Sequence, residues 1–240
     1  MIEATYANRI ELLSKIKPFT GLCEADLYEV AVSLRHRSHP RGEIVYHQDD
    51  PAGSLFILTK GLVKIQLTSP TGGHVTFALI WPGGIFGTIS PVDESPRAES
   101  AAALRPCEVL ILDGAVFRKL LRKAPDVAME FLEIMATRRR RTTRQLHDAI
   151  FLDISARLAK VLLEYSSDAF LGPTGDCALN ELNQTELASL VWATRESVNR
   201  WLHFFEHQGW ISRSHESIQV LRTDRLRELI EIGSGARSAS

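Results

Sequence analysis

Cysteine is scarce in this chain: three in 240 residues, at Cys23, Cys107 and Cys177. They are odd in number and far apart, and no pair has metal-ligand or redox spacing. That argues against a disulfide framework and predicts reduced, mostly buried thiols. No apolar run approaches the length of a membrane span. The first residues, MIEATYANRIELLSK, hold no long apolar core of the kind a signal peptide needs. A cytoplasmic protein with no membrane partner is the expectation. Paired carboxylates, a Ser/His/Asp set, a metal-spaced cluster and a Walker-type loop are all missing too. No catalytic site and no metal site are therefore expected.

Excess charge of one sign is also missing overall, since the formal net charge is −1. Its distribution is uneven. Residues 1–114 carry 10 Lys/Arg against 13 Asp/Glu, residues 115–151 carry 9 against 4, and residues 152–240 carry 9 against 12, giving −3, +5 and −3. Two domains are a fair expectation at this length, each able to bury its own core.

The most informative stretch is NQTELASLVWATRESVNRWLHFFEHQG, Asn183 to Gly209. Asn183 is a good N-cap, with Glu186 three residues on to complete a capping box. Leu187, Leu190 and Val191 share one helical face. Trp192-Ala193 form a turn and Thr194 caps a second helix. On that helix Val198, Trp201, Leu202 and Phe205 face inward, and Gly209 ends it. Arg195, Glu196, Ser197, Asn199 and Arg200 point mostly away from the apolar face. A short helix with arginines near its start, braced across a turn, suits the DNA major groove, where arginine reads guanine and glutamate accepts from cytosine. His203 and His207 lie four apart on this same helix and read as surface residues. The following WISRSHESIQVLRT has Ile211, Ile218 and Val220 flanking a polar centre at His215-Glu216, which predicts a β-hairpin.

A helix-turn-helix followed by a hairpin is a winged helix. The segment resembles the DNA-binding domain of the cyclic-AMP receptor (CRP/FNR) superfamily of transcription regulators, most specifically in Thr194 to Arg200. The resemblance implies that Arg195, Glu196 and Arg200 touch base edges, while Asn183, Gln184 and Ser197 sit near phosphates. Gln184 stands where some members carry an arginine.

From Ser38 to Asp113 short apolar runs alternate with turns such as Pro40-Arg41-Gly42, Lys60-Gly61 and Pro82-Gly83-Gly84, the pattern of a sandwich or barrel. PRGEIVYHQDDPAGSLFILTKGLVKI resembles the antiparallel β-roll of cyclic-nucleotide-binding domains. Within GTISPVDESPRAES, Gly87, Arg97 and Ala98 match the spacing of that family's phosphate-binding cassette. Thr88 departs from it, because nucleotide-binding members usually carry a glutamate there. Losing a charged hydrogen-bond partner in a buried site costs about 1.5–3 kcal/mol. Arg97 could instead pair with Glu94 or Glu99 as a structural arginine.

Pro125-Asp126 opens a long helix running to about Ile150, with Met129, Leu132, Ala136, Arg139, Thr143, Leu146 and Ile150 at spacings of three and four. That is a coiled-coil seam and predicts a parallel dimer. By resemblance, Thr142 and Thr143 align with the hydroxyl pair that contacts adenine. The run Arg138–Arg141 spans a full helical turn and is expected to be mostly solvated or paired with acids of the roll.

The expected architecture is α+β. A roll with N-terminal helices spans 1–114, a short helix and the dimerisation helix span 115–151, a winged helix spans 152–232 and a disordered tail spans 233–240. The resemblance implies a homodimer on a pseudo-palindromic double-stranded DNA operator, with RNA polymerase as protein partner. It also implies cyclic AMP or another cyclic nucleotide as effector. Two alternatives stay open because of Thr88: a redox or haem effector, for which His47 and His74 are the candidate axial ligands, or action without ligand.

Overall fold

The computed structural model describes residues 2–51, 53–69, 72–166, 179, 182–214 and 217–235. It divides into two compact units, Met1–Gly73 with Ala78–Arg140 and His74–Phe77 with Arg141–Ser240.

Helices α1 (Ile2–Leu13) and α2 (Glu24–Ser33) precede eight strands, which belong to the first unit except for His74–Phe77. These are β1 (Arg35–His39), β2 (Ile44–Tyr46), β3 (Ser54–Lys60), β4 (Val63–Thr68), β5 (His74–Ile80), β6 (Ile85–Phe86), β7 (Ser100–Ala103) and β8 (Cys107–Asp113), with the short α3 (Ser90–Asp93) between β6 and β7. One sheet has the order β1-β8-β3-β6 and the other β2-β7-β4-β5. β8 pairs antiparallel with both β1 and β3, and β7 with β2 and β4.

Residue chemistry explains why β3 and β8 read as unbroken apolar runs. Successive side chains leave a strand on opposite faces, and both faces of this sheet are covered. Leu55, Ile57, Leu110 and Leu112 join one core with Leu13, Phe19, Val30, Phe117 and Phe131. Phe56, Leu58 and Val109 join another with Tyr46, Val63, Ile65, Phe86 and Ala101. β7 begins at Ser100, after Arg97, whose guanidinium donates to the Gly87 carbonyl at 2.9 Å. Gly61 turns β3 into β4 at φ +87°, and a Cβ there would lie 2.2 Å from the Pro106 carbonyl oxygen, so only glycine fits. Cys107 is buried, as expected, but Cys23 is exposed at the start of α2. The expectation fails there because a helix-capping position, unlike a strand, faces solvent.

Helix α4 (Gly114–Lys123) is followed by the long α5 (Pro125–Phe151), within which the division between units falls. Val127 and Phe131 are buried, whereas Met129, Leu132, Leu146 and Ile150 are large, apolar and exposed.

The second unit continues with α6 (Ile154–Tyr165), α7 (Gln184–Leu190), α8 (Arg195–His207), the hairpin β9 (Ile211–Arg213) and β10 (Ile218–Val220), and α9 (Thr223–Gly235). Leu158, Leu162, Leu187, Val198, Leu202, Phe205, Ile211 and Leu226 form its interior. Helix α9 continues through Gly235, past the predicted end near Ile232. Gly233 is close against α6, where a Cβ would meet that of Ala156 at 2.9 Å. Residues 167–178, 180 and 181, the hairpin centre His215-Glu216 and the tail beyond Gly235 lie outside the described residues.

Candidate DNA-reading and effector sites

The helix-turn-helix rests on its caps. Asn183 Oδ1 accepts from the backbone N–H of Thr185 at 2.8 Å and Glu186 at 3.0 Å, which leaves its amide nitrogen as the donor for an outside partner. Thr194 Oγ1 accepts from Ser197 N–H at 3.2 Å. Both caps satisfy first-turn donors that have no intrahelical acceptor. Val198, Leu202 and Phe205 bury one side of α8, and Arg195, Glu196 and Arg200 are exposed on its leading turns. Ser197 and Gln184 are half-buried, and Ser197 Oγ accepts from Arg200 Nη2 at 3.4 Å. Asn199 is less open than its neighbours: its Oδ1 is shielded from solvent without a hydrogen-bond partner among the described residues. His203 is exposed and bonds Arg213 Nη2 at 2.9 Å; the same arginine is paired with Glu206, which ties β9 to α8.

The cassette residues Gly87, Thr88, Arg97 and Ala98 come together in the first unit. Gly87 has φ +64°, and a Cβ on it would approach Arg97 Nη1 to 2.8 Å and Phe56 Cδ2 to 3.0 Å. Arg97 is 5% exposed and turned inward. Its guanidinium donates to the Gly87 carbonyl at 2.9 Å and the Ser54 carbonyl at 2.7 Å, and its centre lies 4.4 Å from the Tyr46 ring centroid. Of the two acids proposed as its partners, Glu94 is paired instead with Arg118 at 2.7 Å, and Arg118 also donates to the Pro91 carbonyl, bracing α3. Ala98 is exposed beside the buried arginine.

Thr88 is buried, and its hydroxyl oxygen accepts from Arg138 Nη1 at 3.0 Å. Arg138 also donates to the Ile85 carbonyl. So one member of the arginine run is neither solvated nor paired with an acid; it fills the place opposite Thr88. Arg141, another member, pairs with Glu164 of α6 at 3.0 Å and bonds the Tyr165 hydroxyl at 2.8 Å. Arg138 and Tyr46 were not predicted as pocket residues. The signal existed for Arg138, because it continues at spacings of three and four the inward stripe of Phe131, Ile134 and Met135.

Burial dominates the electrostatics. It lowers the proton affinity of both Arg97 and Arg138, raises the Tyr46 hydroxyl well above its ordinary value, and raises the Glu99 carboxyl against the pull of the two arginines. Two guanidinium groups and one half-buried carboxylate therefore lie in weakly solvated surroundings. Such a place favours an incoming anion, since each arginine gains from a charge partner that water no longer supplies. Thr142 and Thr143 are exposed on α5 and belong to the second unit. His47 and His74 are exposed, and no group of three metal-ligating side chains occurs among the described residues. No helix there is long and apolar enough to cross a membrane.

Comparison with known proteins adds two family profiles. Residues 36–124 match a cyclic nucleotide-binding domain and residues 156–229 a Crp-like helix-turn-helix domain. The chain is 31% identical over 217 residues to the CRP-like cAMP-activated global transcriptional regulator of Mycobacterium tuberculosis, covering 90% of this chain and 97% of that protein. It is 29% identical over 211 residues to the cyclic AMP receptor protein of Thermus thermophilus, covering 88% and 95%. Among solved structures, FixK2 of Bradyrhizobium japonicum superposes with a TM-score of 0.72 at 22% identity, covering 82% of this chain and 96% of that one. The c-di-GMP responsive regulator CLP of Xanthomonas campestris superposes with a TM-score of 0.71 at 20% identity, covering 82% and 99%. These last two likenesses are of fold.

Proposed function

The chain belongs to the CRP/FNR family of transcription regulators, DNA-binding proteins and not enzymes, and on that premise we propose that it binds a pseudo-palindromic operator as a homodimer, under control of a cyclic nucleotide at the cassette. The observation that carries the DNA reading is the exposure of Arg195, Glu196 and Arg200 on the leading turns of a helix whose other side is buried. Two such helices related by a twofold axis would enter successive major grooves about one helical turn apart. Arg195 and Arg200 would donate to guanine O6 and N7, and Glu196 would accept from cytosine N4. Ser197, Asn199, Gln184 and the free amide of Asn183 would hold the backbone, setting register without reading sequence. RNA polymerase is the proposed protein partner and the cytoplasm the proposed location.

Arg200→Ala is expected to weaken operator binding by about 1–3 kcal/mol, with discrimination at one base pair relaxed. A gel-shift titration against operator and single-base variants measures both. An unchanged operator affinity would remove α8 as the reading helix.

For the effector, Arg97 and Arg138 supply the cationic cleft, and Thr142 and Thr143 the hydroxyls for the base. A hydroxyl at position 88 can accept from Arg138 but carries no charge, so Arg138 is available to bond the ligand where a glutamate would hold it. A second reading, action without ligand, is favoured by one observation: Arg97 already commits two of its five donors to backbone carbonyls. Titration calorimetry with cyclic AMP and cyclic GMP, repeated as a DNA-binding assay, separates them. Binding that tightens operator affinity supports nucleotide control. No heat from either ligand, with the operator still bound, supports the second reading.

A further inference from the structure

The exposed face of α8 does not end with its base-reading side chains. His203 stands three residues after Arg200, four after Asn199 and seven after Glu196, so it shares their side of the helix. Val198, Leu202 and Phe205 are buried on the opposite side, and His203 is exposed. It has no part in the DNA contacts proposed above.

Its attachment sets it apart from a solvated surface histidine. Nδ1 lies 2.9 Å from Arg213 Nη2 on β9. A guanidinium only donates, so Nδ1 is the acceptor and the ring proton sits on Nε2. Arg213 is itself fixed. Glu206, three residues beyond His203, accepts from its Nε at 3.0 Å and from its Nη2 at 2.6 Å. The two hydrogens of Nη2 serve one partner each. The bond from Arg213 holds the Glu206 carboxyl below its usual range, so this pair is ionised at neutral pH. The Arg213 side chain is only 15% exposed, which keeps water from replacing these bonds. Helix and hairpin together therefore fix an outward imidazole in one tautomer, with its Nε2–H left as the donor for an outside partner.

Resting on the assignment of α8 to the major groove, we propose that His203 is a further DNA contact, an uncharged donor to a backbone phosphate, set in its tautomer by Arg213 and Glu206. Base edges are met by the first residues of a recognition helix. His203 lies on the third turn of α8, past Arg195, Glu196 and Arg200, where the helix leaves the groove floor and the nearest acceptors are phosphate oxygens. Arg213 and Glu206 are positioning residues here: they aim the ring and decide which nitrogen carries the proton, as the outer partners of a metal-bound histidine do.

The test is a gel-shift titration of full-length His203→Ala and His203→Gln on an operator selected from a random duplex pool, at about pH 8, where a histidine is ordinarily neutral. The glutamine amide nitrogen reaches the place of Nε2 and keeps the donor. His203→Ala should lose at least about tenfold in operator affinity, and His203→Gln at most about threefold. Discrimination among single-base variants should stay as it is, because a phosphate contact carries no sequence information. The slope of log affinity against log salt should also stay, because no charge has been removed. The proposal is overturned if His203→Ala costs nothing, or if His203→Gln is as weak as His203→Ala. A loss accompanied by a lower melting temperature, by relaxed base discrimination or by a shallower salt slope overturns it too, since the ring then braces the hairpin, reads a base or acts as a cation. Arg200→Ala is measured alongside. A loss there with none in His203→Ala removes this contact alone, whereas no loss in Arg200→Ala removes α8 as the reading helix and this contact with it.

Discussion

Glu99 is a carboxylate held where water is scarce, with Arg97 and Arg138 as its attracting charges and desolvation outweighing them. Its folded-state pKa is therefore above the ordinary value of 4.5. A raised acid binds its proton more tightly in the folded state than in the unfolded chain. Its favourable contribution is thus complete at low pH and declines as pH rises from 4.5 through the folded value. Glu99→Gln removes that slope. The expected outcome is that urea midpoints of the variant, relative to those of the natural protein, rise between acid and neutral pH. Parallel curves would mean that the arginines cancel the burial of Glu99 and that the cleft is not short of water. The same residue decides how anions meet the cleft, since an ionised Glu99 competes with any incoming phosphate for the two guanidinium groups. Conditions that ionise it oppose effector binding, and Glu99→Gln is expected to tighten that binding at neutral pH.

At the scale of elements, α7 and α8 show how much local chemistry can determine. Helix α7 is only seven residues long, too short to persist by itself, so its cap and its buried face must supply its stability. Asn183→Ala removes an acceptor that serves two backbone donors. A loss of about 1 kcal/mol in thermal or urea unfolding is expected, and a loss near zero would mean that packing alone holds the turn. These caps were legible because they depend on residues within three positions of each other. The cassette spacing from Gly87 to Arg97, ten residues apart, was legible only through the family resemblance. What Arg97 does with its charge was not, because its acceptors include the Ser54 carbonyl, 43 residues away. Arg138 was hidden by its neighbours: four consecutive arginines look alike unless the inward stripe of Phe131, Ile134 and Met135 is carried forward to it. Cys23 shows the reverse error, where a residue type that is usually buried stands at an exposed helix start.

For the whole molecule, the unsolved balance lies along α5. Leu132 is 57% and Leu146 53% exposed, and Met129 and Ile150 are as open. With Ala136, Arg139 and Thr143, also exposed, they follow the predicted seam. Exposed apolar area carries about 25 cal/mol per Å² of unrealised stabilisation, and a stripe of this regularity is relieved by a second helix of the same kind. The polar Arg139 and Thr143 lower the strength of that pairing but favour a single register. Leu132→Glu would set two carboxylates against each other across the twofold axis. The expected result is a particle of one 26.8 kDa chain where the proposed homodimer would sediment as two. Operator affinity should then fall by at least about a hundredfold, because the second half-site is no longer bound as an intramolecular event. Helix content by circular dichroism should be kept, since Leu132 contributes nothing to the buried core of its own chain. A variant that still sediments as a dimer and still binds the operator would move the proposed interface off α5.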